Sequence, residues 1–258
     1  MTEYLKILSK CILILQLINL VLCSFSAVAQ EFNLPKCSDS KSQKMNLCIG
    51  EKLFRDGSKY YGEFTDNFAT GQGKITWPDG TTYTGFVLRS RPQGKGVLKS
   101  ASGEEISGDW NEGKLNGIGS ETWPNGEKYV GDFVDNEAKG MGVYFWPSGI
   151  KYAGGFASYL ANGEGVQSWP DGRKYIGQFK NSIYEGMGAF FWPDGARYVG
   201  SFVNGKANGD GVHFYPNGSK YVGKWKNGLK DGYGVYLHAN GDLLFEGMWQ
   251  NDKPIEAK

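Results

Sequence analysis

A tyrosine followed two residues later by a glycine recurs along this chain at a fixed step of 23 residues. The series runs Tyr60-x-Gly62, Tyr83-x-Gly85, Tyr129-x-Gly131, Tyr152-x-Gly154, Tyr175-x-Gly177, Tyr198-x-Gly200 and Tyr221-x-Gly223, with Ile106-x-Gly108 holding the missing phase. A pair of glycines keeps the same step, from Gly71 and Gly73 to Gly232 and Gly234. So does a turn, written Trp77-Pro78-Asp79-Gly80, Trp123-Pro124-Asn125-Gly126, Trp146-Pro147-Ser148-Gly149, Trp169-Pro170-Asp171-Gly172, Trp192-Pro193-Asp194-Gly195 and Tyr215-Pro216-Asn217-Gly218. A repeat of this length is one supersecondary element that cannot bury its apolar face alone, so units must stack on one another to form a core.

The unit reads as a β-hairpin. Tyr-x-Gly-x-Phe alternates with the period of two that a strand requires, placing ring, glycine and ring on one face. In the turn that follows, Pro sets φ at the first corner and Gly supplies φ > 0 at the end. Asn204-Gly205, Asn227-Gly228 and Glu112-Gly113, or looser pairs such as Asp66-Asn67, mark a second turn that returns the chain. A strand position without a Cβ lets a neighbouring ring lie flat on the backbone, which gives the glycines a packing role. The expectation is an all-β fold, an elongated single-layer antiparallel meander of about eight to nine β-hairpin repeats, each advancing roughly 9–10 Å. Glycine supplies 39 of the 258 residues and aromatics 15%. That combination excludes a helical array, and it excludes disorder, since disordered chains lack rings to bury.

Tyr-x-Gly-x-Phe/Trp, Gly-x-Gly and Trp-Pro-Asp/Asn-Gly at this spacing resemble the MORN repeat family over residues 57–258. Two units depart from its pattern: Val87 stands where Phe or Trp is expected, and the third unit has Ile106 for Tyr and Ser100-Ala101-Ser102-Gly103 for the Trp-Pro turn. Phe245-Glu246-Gly247 arrives one residue late. The resemblance implies a scaffold, a dimerisation element or a membrane-apposition module. Relatives that are lipid kinases or SET-type methyltransferases carry a separate catalytic domain; here only Gln250 to Lys258 follow the last aromatic, so none is expected.

No glycine precedes Gly50, so a different kind of polypeptide leads into the array. Residues 1–29 read as a signal peptide, with Lys6 and Lys10 ahead of the apolar stretch Cys11 to Leu22 and Ala27-Val28-Ala29 as the cleavage pattern, cut after Ala29. Gln16 and Asn19 interrupt a stretch already short for a membrane span, and anchoring by an uncleaved N-terminal segment is the alternative. Residues 30–56 are then an N-terminal cap segment and 57–258 the array. Export to a periplasm or to the outside places Cys37 and Cys48 in an oxidising compartment, where the two are expected to form one disulfide. They lack the further ligands a metal needs, and they are not a CxxC redox pair. The stapled segment is expected to cover the strand around Tyr60–Phe64, with Leu47, Ile49, Leu53 and Phe54 as apolar contacts, because an open edge strand templates aggregation.

Charge and side-chain inventory narrow the function. Loss of Glu3, Lys6 and Lys10 takes the 28 basic and 27 acidic residues to 26 each, so no global field draws this protein to nucleic acid. The bases available for catalysis are His213 and His238. His213 takes the phase of Ile75, Tyr144 and Phe190, and His238 takes that of a turn Trp, so both read as positional substitutions in the repeat. Asp79, Asp171 and Asp194 recur as calcium ligands would, but turn geometry accounts for them and Asn125, Ser148 and Asn217 replace them elsewhere. The glycine pairs are not followed by a helix whose N-terminus holds phosphate. No enzyme, cofactor or metal is expected.

Two surfaces are candidates for binding. One is the aromatic row of Tyr129, Tyr152, Tyr175, Tyr198 and Tyr221 with Phe133, Phe156, Phe179, Phe202 and Trp225. It reads either as packing against the glycines or as a groove for glycan, peptide or acyl chain. The other is a cationic ladder on the opposite face, Lys59, Lys128, Lys151, Lys174, Arg197 and Lys220. It reads as a solvated surface that blocks aggregation or as a stripe for anionic lipid or envelope glycan. The leading expectation is a non-enzymatic exported scaffold that binds a protein partner or its own copy, with binding of anionic lipid headgroups or glycan as the alternative.

Overall fold

The computed structural model describes residues 34–37 and 44–255. The signal peptide expected over residues 1–29 lies outside the described residues. The chain divides into two units between Pro147 and Ser148, inside one of the Trp-Pro turns. The first carries β1 (Cys48–Leu53), β2 (Lys59–Thr65), β3 (Phe68–Thr76), β4 (Thr82–Leu88), β5 (Arg91–Lys99), β6 (Glu105–Asn111), β7 (Lys114–Thr122), β8 (Lys128–Val134) and β9 (Glu137–Phe145). The second carries β10 (Lys151–Ala157), β11 (Leu160–Ser168), β12 (Lys174–Lys180), β13 (Ile183–Phe191), β14 (Arg197–Val203), β15 (Lys206–Phe214), β16 (Lys220–Lys226), β17 (Leu229–Leu237), β18 (Leu243–Gln250) and β19 (Lys253–Pro254). Within each unit every strand pairs antiparallel with the next in sequence, so the fold is the all-β hairpin meander expected.

Each repeat joins a seven-residue strand to a nine-residue strand through a two-residue turn. Both turn residues take positive φ, as in Asn204 and Gly205 at 50° and 79°, the mirror-image turn whose twist matches that of the flanking strands. The Trp-Pro turn closes differently. Gly80 N–H donates to Trp77 O at 3.0 Å and Trp77 N–H to Thr81 O at 2.9 Å, with Gly80 at φ 91°. Asp79 Oδ1 accepts from Thr81 N–H at 2.9 Å, and Asn125, Asp171, Asp194 and Asn217 do the same in their own turns. Asp and Asn interchange there because both offer the same oxygen.

The two strands of a hairpin differ in length, and a bulge absorbs the difference. Between β2 and β3, Gly62 faces Gly73 and Phe64 faces Ala69, so Glu63 stands opposite three residues, and the same shift recurs in every hairpin. The first glycine of each Gly-x-Gly pair lies in this bulge with positive φ, 118° at Gly71. The second glycine acts through its missing side chain, since a Cβ on Gly73 would come within 2.4 Å of the Tyr60 ring. The ring lies on the glycine backbone and its hydroxyl donates to Glu63 O at 3.0 Å, satisfying the carbonyl that the bulge takes out of the ladder. Tyr83, Tyr129, Tyr152, Tyr175, Tyr198 and Tyr221 repeat that bond to the residue three positions on. This explains why the phase holds Tyr rather than Phe.

Ile106 has no hydroxyl, and its unit is filled by another route. Leu115, 1% exposed, reaches over Gly119 from the phase at which other units carry Ala69, Ala138 and Ala161, with Cδ2 3.0 Å from where a Gly119 Cβ would lie. Trp110 Nε1 adds a hydrogen bond to Gly96 O at 3.0 Å.

The N-terminal cap forms, though not as apolar cover. β1 pairs with β2 along its whole length, from Cys48 opposite Phe64 to Leu53 opposite Lys59. On its other side Lys36 bridges Ile49 in parallel, with Cys37 N–H donating to Ile49 O and Ile49 N–H to Pro35 O, each at 2.8 Å. The Cys37–Cys48 disulfide is present. Leu47 and Leu53 are 61% and 67% exposed, so the expectation that they pack on the first strand is corrected. Ile49 and Phe54 are half-buried. An edge strand needs partners for its backbone groups, and an added strand supplies them where side chains do not.

Candidate functional site

The aromatic row, which the sequence left as either packing against the glycines or a binding face, lies in the core. Tyr129, Tyr175 and Tyr221 are fully buried, Tyr152, Tyr198, Phe133, Phe156, Phe179 and Phe202 nearly so, and Trp225 is 8% exposed. The Tyr175 ring stacks on Tyr184 at 3.9 Å and meets Phe179 and Phe202 edge-on at 5.1 Å each. Burial pushes the phenols of Tyr129, Tyr175 and Tyr198 well above the ordinary tyrosine range. Seven of these ten rings line no part of the groove found in the second unit.

The other three, Tyr198, Phe202 and Trp225, floor a groove of about 630 Å³ in the second unit. One wall is the end of the two-residue turns, with Tyr184, Ala207 and Lys230. The opposite wall is a ladder of half-exposed rings at the Trp-Pro turns. Phe190 lies 4.6 Å from Trp192, Trp192 5.4 Å from His213, His213 4.3 Å from Tyr215, and Tyr215 5.4 Å from Tyr236. Trp123, Tyr144 and Trp146 form a shorter ladder in the first unit, at 5.5 and 4.5 Å. In sequence the turn Trp reads only as punctuation. The missed signal is an aromatic two residues before it, which the strand period puts on the same face.

Tyrosines apart, the ionisable residues that line this largely apolar groove are Lys206, His213, Lys230 and Asp252. His213 does occupy the strand phase of Phe190, as expected, and its buried Nδ1 has no hydrogen-bond partner. Burial, then the Lys230 charge, holds its pKa below the usual 6.5. Lys230 has no distinguishing mark in the sequence, yet it stands at the phase of Ala69, Ala138, Ala161 and Ala207. Its ammonium lies 4.6 Å from the Trp249 ring and 3.4 Å from Tyr215 Oη. Among the described residues no carboxylate comes within ion-pair distance of it. Burial lowers its pKa and the nearby Asp252 charge opposes that. Asp252 uses Oδ1 to accept from Lys230 N–H at 2.8 Å.

The cationic residues alternate with the tyrosines and so project from the other face. Lys59, Lys151, Lys174 and Arg197 are exposed and Lys128 and Lys220 half-exposed. Their cross-strand neighbours are often apolar: Lys128 faces Phe145, Lys174 faces Phe191, Arg197 faces Phe214 and Lys220 faces Leu237. The Arg197 guanidinium sits 4.0 Å above the Phe214 ring. His238 is an exposed turn residue. Among the described residues no group of three or more His, Cys, Asp or Glu is placed to hold a metal, and no helix is long and apolar enough to cross a membrane.

The family model described as the MORN repeat matches residues 60–82, 83–105, 107–128, 129–151, 152–172, 175–197, 198–220 and 221–243. Among solved structures, the chain is similar to the G-box domain of the microcephaly protein CPAP, at 12% identity and a TM-score of 0.40, covering 76% of this chain and 96% of that one. It is also similar to the SAS-4 (dCPAP) TCP domain of Drosophila melanogaster, solved in complex with a proline-rich motif of Ana2, at 13% identity and a TM-score of 0.35, covering 81% and 96%. Likenesses this distant say nothing of what this chain does.

Proposed function

The chain belongs to the MORN repeat family, and from that premise we propose that it is a non-enzymatic scaffold whose second unit docks an extended segment of a protein partner in its aromatic groove. The observation that carries this reading is the groove itself, walled by half-exposed rings and floored by the buried row. Flat rings supply large contact area at small entropic loss, and such surfaces dominate protein recognition. No Ser, Thr or Cys lines the groove, and its surface of rings is suited to holding a partner. Affinity enrichment with the full chain tests it, comparing the wild type with Trp192→Ser/Tyr215→Ser and with Lys151→Glu on the opposite face. A partner lost with the first variant and kept with the second supports the groove; a partner indifferent to both removes it.

A second reading is favoured by the cationic residues paired with Phe191, Phe214 and Leu237, since ammonium and guanidinium groups interleaved with apolar side chains suit an anionic membrane surface or glycan. Cosedimentation with phosphatidylserine vesicles should then fall when Lys151, Lys174 and Arg197 become Glu. Self-association belongs to the scaffold proposal and is read by light scattering on a sizing column. Export is proposed with it: the disulfide supports residence in an oxidising compartment. N-terminal sequencing of the protein recovered from cell fractions should begin at Gln30; a retained Met1 in a reducing compartment would count against cleavage and export together.

A further inference from the structure

We infer that the groove selects an acidic peptide segment, pairing an Asp or Glu side chain with Lys230 while apolar neighbours of that residue lie against Trp192 and Tyr215. This rests on the peptide-docking reading and names the partner's chemistry. A lysine placed where four other repeats carry alanine extends its ammonium into an aromatic groove with no carboxylate within ion-pair distance among the described residues, although Asp252 also lines the groove and its charge acts on the ammonium. The ring faces around it attract the cation but leave an anion-sized demand unmet. Asp252 accepts through Oδ1 from the Lys230 backbone N–H, which holds its carboxylate at the main chain and outside ion-pair distance of the ammonium.

Two lysines, Lys206 and Lys230, and one acid, Asp252, line the groove, too few cations for a polyanion, which needs a row of charges, and a bilayer does not reach into a groove. An acyl chain with one carboxylate meets the charge but leaves the Tyr215 hydroxyl, which accepts from Lys230, without an acceptor for its own proton, and a peptide carbonyl supplies one. Successive repeats advance by two strand spacings, about 9–10 Å, which is close to one three-residue turn of a polyproline II chain at about 3.1 Å per residue, a conformation that puts residues three apart on one face. Apolar side chains three residues apart therefore meet the Phe190–Trp192 and His213–Tyr215 pairs in turn, with the acid beyond them at Lys230.

A displayed random dodecapeptide library panned on the immobilised full chain tests this, with Lys230→Ala and Lys230→Arg panned in parallel. Alanine is what four other repeats carry at this phase, so that variant should fold. The wild type should enrich peptides with Asp or Glu a few residues from spaced apolar ones. A synthetic consensus should bind Lys230→Ala about tenfold more weakly, the value of a partly desolvated charged pair, and Lys230→Arg nearly as well as wild type. Changing the peptide's acid to its amide should produce the same loss. Enriched peptides without an acid, or equal binding to Lys230→Ala, overturn the carboxylate inference and leave peptide docking standing. No enrichment on the wild type overturns both, and binding of oleate or polygalacturonate in that case assigns the groove to another occupant.

Discussion

Replacing Gly188 with alanine tests the packing rule on which every repeat depends. Its φ is not positive, so alanine adds no backbone strain there. A Cβ would lie 2.4 Å from Tyr175 Oη and 2.7 Å from ring carbons Cε2 and Cζ. Carbon contacts want about 3.5–4.0 Å, so the ring must move by about 1 Å. It has nowhere to go: Tyr184 stacks on it at 3.9 Å, Phe179 and Phe202 wedge its edges, and its hydroxyl is held by Gln178 O at 3.0 Å. Overpacking costs about 1–3 kcal/mol. Breaking the bond to a carbonyl with no ladder partner costs about 1–3 kcal/mol more. Alanine's lower unfolded-state entropy returns about 0.5–1 kcal/mol.

The net expectation is a loss of about 2–4 kcal/mol, which moves a urea midpoint down by about 1–2 M for a typical slope. Near-UV circular dichroism and Trp fluorescence both follow the transition. The sharper arm is the double variant. In a Tyr175→Leu background the same Gly188→Ala change should lose most of its effect, giving a coupling of at least about 1 kcal/mol. An additive pair, or a single-variant loss below about 0.5 kcal/mol, would refute the account of the glycine as a seat for the ring.

Acidification should weaken the fold through His213. Its pKa is lower folded than unfolded, so the unfolded chain takes up the proton first and stability falls as pH drops below 6.5; His213→Phe, the residue of the preceding repeat, should flatten that limb of a melting-temperature profile. Alkali should act through the buried phenols. Tyr60, Tyr83, Tyr129, Tyr175, Tyr184 and Tyr198 keep their protons to higher pH folded than unfolded, and Tyr215 and Tyr221 are pushed to about 12. Stability is therefore expected to fall as pH rises past 10, with tyrosinate absorbance appearing cooperatively at unfolding rather than gradually. Reducing Cys37–Cys48, which closes a separation of 11 residues, should remove about 2–3 kcal/mol from the cap. Hydrogen exchange in β1 should then accelerate while that in β4 to β9 stays unchanged.

The hairpins, their antiparallel class and their turns were legible in the sequence because each rests on a requirement of one or a few neighbouring residues. Gly80 and Gly205 mark places where φ must be positive, Pro78 sets a corner, and the Tyr-x-Gly-x-Phe alternation records the strand period directly. The disulfide was legible for the same reason, two cysteines close in the chain. The groove was not. Its wall joins Phe190 to Trp192 and then to His213 in the next repeat, its floor joins Tyr198 to Trp225, and Lys230 is set among its rings, though as one more lysine in a charged chain it carried no mark of its place. Leu115 is alike: only its reach across Gly119 shows how a repeat survives with Ile106 in place of tyrosine. The bulge that takes Glu63 out of register, and the Tyr60 hydroxyl that satisfies it, also bring together groups whose meeting depends on how strands pair. Local conformational preference is written residue by residue, whereas side-chain contact across strands depends on register and burial, which exist only once the units have stacked.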